Sequence, residues 1–450
     1  MIVTCDRSSQ WPVIFSHPAF PSEPSVLTPP KPPPCSPWLV TLQRVWAAAL
    51  LGLVLLSWRL WLPSWAASAV EFPRVPLLTL GQPMIAALES VGLAGLLVSL
   101  GVILVRKQVP WQAFAGVSLS LACLFLTNQH RLQPWAYQGG VYGILFACLP
   151  PATARRFLIA LTISIYAYSA LGKFDQQFLR TVGPDLVAAL VPWLDRGTEP
   201  ADGLLSLAAA ALPAAELGLA ILLAIPRTRR LAGVAAIAMH SLLLVALGPL
   251  GLGHSKAVLA WNVFLAAQAW LVFVRPQPVE PSLSLMPSVG TWQRVGRTTA
   301  KLMVLTALVL PLLERTGYWD HWLSWSLYSP HTSRVDVQVH RTALDSLPAS
   351  AGEFLRPSAE QDGWYELALD RWSLAQLAVP VYPQARFQLG GAQFLSRSLP
   401  SPDAIRIKIR GVADRRTGQR SELWLIGRRQ IDAQADRYWL LPHADSFPNP

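Results

Sequence analysis

Nine apolar stretches, each near the length of a bilayer crossing, constrain this chain more than any other feature. They run roughly over residues 40–58, 82–105, 112–127, 135–150, 156–173, 204–226, 231–248, 256–274 and 299–314. A helix needs about 20 apolar residues to cross a hydrocarbon core of about 30 Å. The third and fourth stretches are short, and "TNQHRLQPW" between them reads as a tight re-entrant corner. Charged residues make up 14% of the chain and hydrophobic ones 52%, whereas soluble domains carry about 25% charged residues. The expected fold is a membrane all-α helical bundle of about nine transmembrane helices, completed by a small C-terminal α+β extracytoplasmic domain.

Three regions follow from composition. Residues 1–38 contain "HPAFPSEPSVLTPPKPPPCSP", a proline density that predicts a disordered, partly polyproline arm. Residues 39–315 hold the multi-pass region. Residues 318–450 turn strand-rich and soluble in character. "RVDVQVH" alternates Val335, Val337 and Val339, and "IRIKIR" alternates Ile405, Ile407 and Ile409, the period of half-buried strands. "RWSLAQLA" and "QARFQLGGAQFL" read as short helices between them. The aromatic run "YWDHWLSWSLYSP" at the entry, and the segment from Phe174 to Leu194, suit a membrane–water interface.

The net charge of +11 is explained by basic turns rather than by nucleic-acid binding. Arg106 and Lys107, Arg155 and Arg156, Arg227 with Arg229 and Arg230, and Arg275 with Arg294, Arg297 and Lys301 occupy alternate turns. Placing them in the cytoplasm puts the N-terminus inside and the chain after residue 314 outside an inner (plasma) membrane. Cys5, Cys35, Cys123 and Cys148 form no CxxC pair and suggest neither a disulfide framework nor a metal site. Phosphate-binding glycine loops, HExxH, GxSxG and nucleotide fingerprints are all missing.

Ionisable residues inside spans are costly and become site candidates. At about 1.5 Å per helical residue, Lys173 lies about 27 Å from Arg155 and Glu89 about 25 Å from Arg106, near the outer edge of the core. Glu216 and His240 lie at about 16 Å and 15 Å, near the midplane. Two depth-matched levels result, Glu89 with Lys173 and Glu216 with His240. Pro213 stands three residues before Glu216, where it can kink the helix locally. Simpler roles stand beside each candidate. Lys173 can snorkel its amine into headgroups, His240 can be a neutral packing residue, and Asn262 reads as interhelical glue. His254 and Lys256 read as solvated loop residues.

The ordered segments "YAYSALGKFDQQF", "LPAAELGLAILL", "RTRR" and "MHSLLLVALG" resemble the HTTM membrane domain of vitamin K-dependent gamma-carboxylase-like proteins. They are also similar to the related DoxX/MauE group, whose helix ends in a small-small-Lys-apolar pattern. The resemblance covers roughly residues 155–275. It implies that Lys173 stands where the carboxylase has the base that deprotonates reduced vitamin K; the Lys, Glu, His order and the depth count add the expectation that Glu216 and His240 polarise the same pocket. Catalytic candidates are therefore Lys173, Glu216 and His240, and the implied ligand is a quinone or another lipid-soluble small molecule; the residues themselves identify no cofactor. Two other readings stay open. One is a non-catalytic membrane scaffold, or an assembly partner of a redox system, that recruits an extracytoplasmic protein through its outer domain. The other is a proton-coupled transporter using Glu216 and His240.

Overall fold

The computed structural model describes residues 37–66, 70–191, 203–275, 291–360, 362–438 and 440. The helical part contains α1 (Pro37–Leu56), the single turn α2 (Trp58–Trp61), α3 (Gln82–Val105), α4 (Trp111–Thr127), α5 (Pro134–Cys148) and α6 (Pro151–Lys173). Two short helices, α7 (Gln176–Arg180) and α8 (Val182–Leu190), lead to α9 (Gly203–Ala224), α10 (Arg229–Leu247), α11 (Lys256–Ala269) and α12 (Thr291–Val309). Proline occupies the first turn of α3, α5 and α6, where its missing N–H costs no helical hydrogen bond. Asp175 and Ser255 cap α7 and α11, accepting from the backbone N–H groups of Phe178 and Val258. A π-helical turn (Trp270–Val274) extends α11, and a 3₁₀ segment (Leu310–Thr316) extends α12.

Among the described residues, six segments are long and apolar enough to cross a membrane: Pro37–Leu56, Gln82–Val105, Leu205–Ala224, Arg229–Leu247, Lys256–Val274 and Arg294–Thr316. Most turn large apolar side chains outward, including Val91, Val98, Leu231, Leu242, Leu302 and Leu312. Lys256–Val274 is 61% buried, against 22–39% for the other five, so it runs through the middle of the bundle. The expected count of nine is not reached, for physical reasons. Among the described residues, α4 is apolar but only 17 residues long, and α5 has 15. The 23-residue α6 carries Arg155, Arg156 and Lys173 among several Ser, Thr and Tyr residues. Helices α5 and α6 are largely covered by protein, and a covered helix can be shorter or more polar than one facing hydrocarbon.

The ends expected to share a side do meet. Arg44 donates to the Arg106 carbonyl (3.3 Å), the Arg155 guanidinium lies over the Trp38 ring, and Trp38 donates to the Leu271 carbonyl (2.6 Å). The far end carries a five-stranded antiparallel sheet of order β2-β3-β1-β4-β5. Its strands are β1 (Arg334–His340), β2 (Leu355–Pro357), β3 (Trp364–Leu367), β4 (Ile405–Arg410) and β5 (Glu422–Ile426). Both alternating segments are strands, paired with Val337 opposite Ile407 and Val339 opposite Ile405. Their inward residues pack with α13 (Leu369–Leu377), α14 (Ala385–Ser398) and α15 (Gly427–Ala435), two of which are the expected short helices.

Helices and sheet belong to one compact unit. Phe72 packs on Trp372 and Phe387, the Glu71 carboxylate accepts from the Ser350 N–H, and Gln177 donates to the Gly418 carbonyl. The aromatic run after residue 318 is not the interfacial belt its composition suggested. Trp322 and Trp325 are buried, Trp322 against Tyr382 and Trp325 against Tyr137 of α5. The segment after Phe174 forms α7 and α8; its continuation with Trp193 lies outside the described residues, as do residues 1–36 of the proline-rich arm. Cys123 and Cys148 are free and half-buried.

The re-entrant corner is tight, and it is also an anchor. Asn128 accepts from the His130 N–H (3.1 Å) and starts a 3₁₀ turn that drives His130 and Arg131 inward. Arg131 donates to the carbonyls of Leu60 and Leu62 and to Thr127 Oγ1, and its guanidinium pairs with Glu89 at 2.9 Å. The His130 ring donates to the Pro380 carbonyl (2.9 Å) between Phe72 and Phe387. Burial lowers its pKa to about 4, so the folded ring is neutral at pH 7. Below about pH 6.5 the unfolded chain binds a proton that the fold refuses. Thermal stability in detergent should therefore fall between pH 6.5 and 4, by roughly 3 kcal/mol from this group. His130→Gln keeps a donor for Pro380, and its melting curve should lack that component.

Candidate functional site

Residues 166, 169 and 173 fall on one face of α6 at i, i+3 and i+7, and that face borders a cavity of about 340 Å³. Its walls include Ile165, Leu212, Met239, Leu243, Trp261 and Leu265 from the helices, with Trp322 and Tyr328 from the segment before the sheet. A few polar groups break this apolar lining: Tyr166, Ser169, Lys173, Glu216, His240, His254, Asn262 and His321. A largely apolar pocket with a small convergent polar set is the usual form of a small-molecule site.

All three expected site residues line this one cavity, with different neighbours from those that depth predicted. Lys173 Nζ donates to Glu216 Oε2 at 2.6 Å and to Ser169 Oγ at 2.6 Å. Their Cα atoms were expected about 11 Å apart in depth. Side chains lean toward the N-terminus of their own helix, and α6 and α9 pack together in opposite directions. Lys173 thus leans back one turn to Ser169 while Glu216 leans toward it, and the gap closes. The amine does not snorkel, since Lys173 is 7% exposed and has two hydrogen-bond partners. A lysine ammonium has three donors, and the third remains for a ligand. Helix α9 continues through Pro213.

Glu89 does not join this site. It is fully buried on α3, paired with Arg131 and, at 3.4 Å, with Arg74. Helix α3 packs on α4 and α1, whereas α6 packs on α9, so equal depth brought no contact. His240 stands at the expected level but meets Tyr166 rather than Glu216. Its Nδ1 lies 3.0 Å from Asn262 Oδ1 and its Nε2 2.9 Å from the Tyr166 hydroxyl. Asn262 uses its amide N–H on the Val258 carbonyl, which leaves Oδ1 as acceptor. His240 then carries its proton on Nδ1, and Nε2 accepts from Tyr166. With both nitrogens engaged, His240 orients Tyr166 and does not present a free base. Asn262 is the interhelical link expected of it.

His254 is not solvated. It lines the cavity against Tyr328, and burial lowers its pKa. Gly172 admits the loop beside Lys173, since a Cβ there would meet Ser329 Oγ at 2.5 Å and Ser326 Oγ at 3.1 Å. That close approach gives the small residue before the lysine a steric reason. Trp325 and Tyr328 hold φ near +57° and +56°, a backbone state costly for bulky residues and concentrated at ligand sites. Beside the cavity a buried chain joins three helices, α5, α6 and α11: Trp261 donates to Gln138 (2.8 Å), Gln138 to Gln268 (3.3 Å), and Gln268 to Thr162 (2.7 Å).

Tyr166 was legible in principle, since it shares a helical face with Lys173. His321, Ser326 and Ser329 carry no periodic signal, because loops bring them in. No protein-family model, curated protein or solved structure matches the chain significantly.

Lys173 and Glu216 should be strongly coupled. Removing one partner of a buried ion pair costs about 3–5 kcal/mol, so Lys173→Met and Glu216→Gln should each lower the melting temperature in detergent. The double variant should recover much of that loss; additive losses would show that the pair is not coupled.

Proposed function

We propose that this protein is a multi-pass membrane protein, HTTM-like in the order of its Lys, Glu and His segments, that binds a quinone or similar lipid-soluble hydroxylated small molecule beside Lys173. The observation that carries this reading is the position of the Lys173–Glu216 pair in the wall of a mostly apolar cavity, with one lysine donor unused. An apolar ring would fill the space among Leu212, Leu243, Trp261 and Leu265, and its hydroxyl would meet the amine. Proton movement from Lys173 to Glu216 along their 2.6 Å bond leaves a neutral amine. The ligand O–H can then break, its proton forming a new N–H on Lys173, and the resulting ammonium holds the phenolate by charge. Tyr166, held by His240 and Asn262, supplies an oriented polar group nearby. The alternate basic turns support an orientation with the site toward the extracytoplasmic half of an inner membrane, the sheet outside and the N-terminus inside.

A short-chain hydroquinone titrated into the detergent-solubilised protein tests this. Binding should weaken at least tenfold in the Lys173→Met/Glu216→Gln double variant, about 1.4 kcal/mol, and an analogue lacking hydroxyls should not distinguish the two proteins. Equal hydroquinone affinity in both would remove the role given to Lys173 and favour a scaffold acting through the outer sheet.

A further inference from the structure

A second cluster borders the same cavity and has no part in the binding just described. Glu314, at the end of the last span, stands against His321 and His331 from the loop before β1. His321 Nδ1 lies 3.0 Å and His331 Nε2 2.7 Å from the same atom, Glu314 Oε1. The three donor atoms all lie within 4.8 Å of one another, and the side chains are 8%, 5% and 2% exposed. We propose that Glu314, His321 and His331 form a binding site for a divalent transition-metal ion of the zinc class.

Two further observations point to a ligand. Asp175 Oδ2 sits 3.5 Å from His331 Nδ1, and both atoms are buried without a hydrogen-bond partner. A carboxylate behind the far nitrogen of a metal-binding histidine is the recurrent outer support of such sites. It directs an N–H to Nδ1 and turns Nε2 to Glu314 Oε1 at 2.7 Å, a contact that a bound cation can bridge as well as a ring proton. A metal ion would take the place of that proton, with Nε2 and Oε1 as ligands. Arg415 stands 3.1 Å from Glu314 Oε2 and 3.2 Å from His331 Nε2, while the Arg420 guanidinium is held by the backbone carbonyls of Pro330, His331 and Thr332. Arg415 thus holds the outer oxygen of the carboxylate, and the ion would displace it from His331 Nε2 while taking Oε1. Zinc takes histidine nitrogen and carboxylate oxygen at about 2.0–2.2 Å, and two histidines plus one glutamate form a known catalytic set with an open fourth position. Tetrahedral ligands at that range stand about 3.4 Å apart, so each histidine nitrogen needs to move away from Glu314 Oε1 by less than about 1 Å. His321 also lines the cavity, which places the ion in the wall of the ligand site.

The test uses full-length protein, freed of any affinity tag and stripped with chelator, titrated with Zn²⁺ against a chromophoric chelator and with Co²⁺ by visible absorption. One equivalent of Zn²⁺ and a saturable Co²⁺ band are expected. Affinity should fall at least 100-fold in His321→Ala/His331→Ala, and 10–100-fold in Asp175→Asn, the range for an outer support. Lack of a stoichiometric site in the unaltered protein would overturn the proposal, as would equal affinity in the double variant. Since the wild-type titration decides the first point, a double variant that fails to fold leaves the proposal open to refutation. Hydroquinone binding is a separate readout, so either reading can fail alone.

Discussion

A charged side chain among apolar helices has no water to turn to, and the whole architecture follows from where each finds a partner. Lys173 finds Glu216 and Arg131 finds Glu89, each pair joining different elements. Such pairs bring little net stability, since desolvation offsets much of the attraction, but an unpaired member is costly. They select which helices are neighbours: α6 against α9, and the corner before α5 against α3. Polar but uncharged links continue the pattern, with His240 tying Tyr166 to Asn262 and the Gln138–Gln268 chain crossing the bundle.

The two ion pairs differ in what they leave over. Arg131 spends its donors on three backbone carbonyls, Thr127 and Glu89, and it does not line the cavity beside Lys173. It is a fastener. Lys173 spends two donors and borders open space lined by leucine, tryptophan and methionine. Beside it, Gly172 lets a loop with two left-handed bulky residues, Trp325 and Tyr328, close the wall. Strain of about 1–3 kcal/mol at each such residue persists where packing on both sides enforces it, and here the packing is the cavity itself.

Much of this is legible in the sequence where periodicity carries it. Two strands, two outer helices and the six apolar spans follow from patterns of two and 3.6 residues. Lys173, Glu216 and His240 share one cavity, as their order suggested, but the levels assigned by counting rise per residue paired the wrong atoms. Cα depth ignores the lean of side chains in antiparallel helices, which is what joins Lys173 to Glu216. Glu89 misled for another reason, because depth holds no information on which helix lies beside which. Arg131 and His130 looked like turn residues, and only the fold shows that the turn points inward. The cluster of Glu314, His321 and His331 has no local pattern, since a helix end and an irregular loop assemble it with Asp175 from a third place.

The central claim is that the space beside Lys173 holds a lipid-soluble molecule. A diazirine-bearing quinone, photolysed with the protein and mapped by peptide mass spectrometry, tests it most directly. Labelling should concentrate on the peptides holding Met239, Leu243, Trp261 and Leu265 and should disappear under excess unlabelled quinone. Labelling confined to the outward faces of α3 and α12, undiminished by competitor, would contradict it.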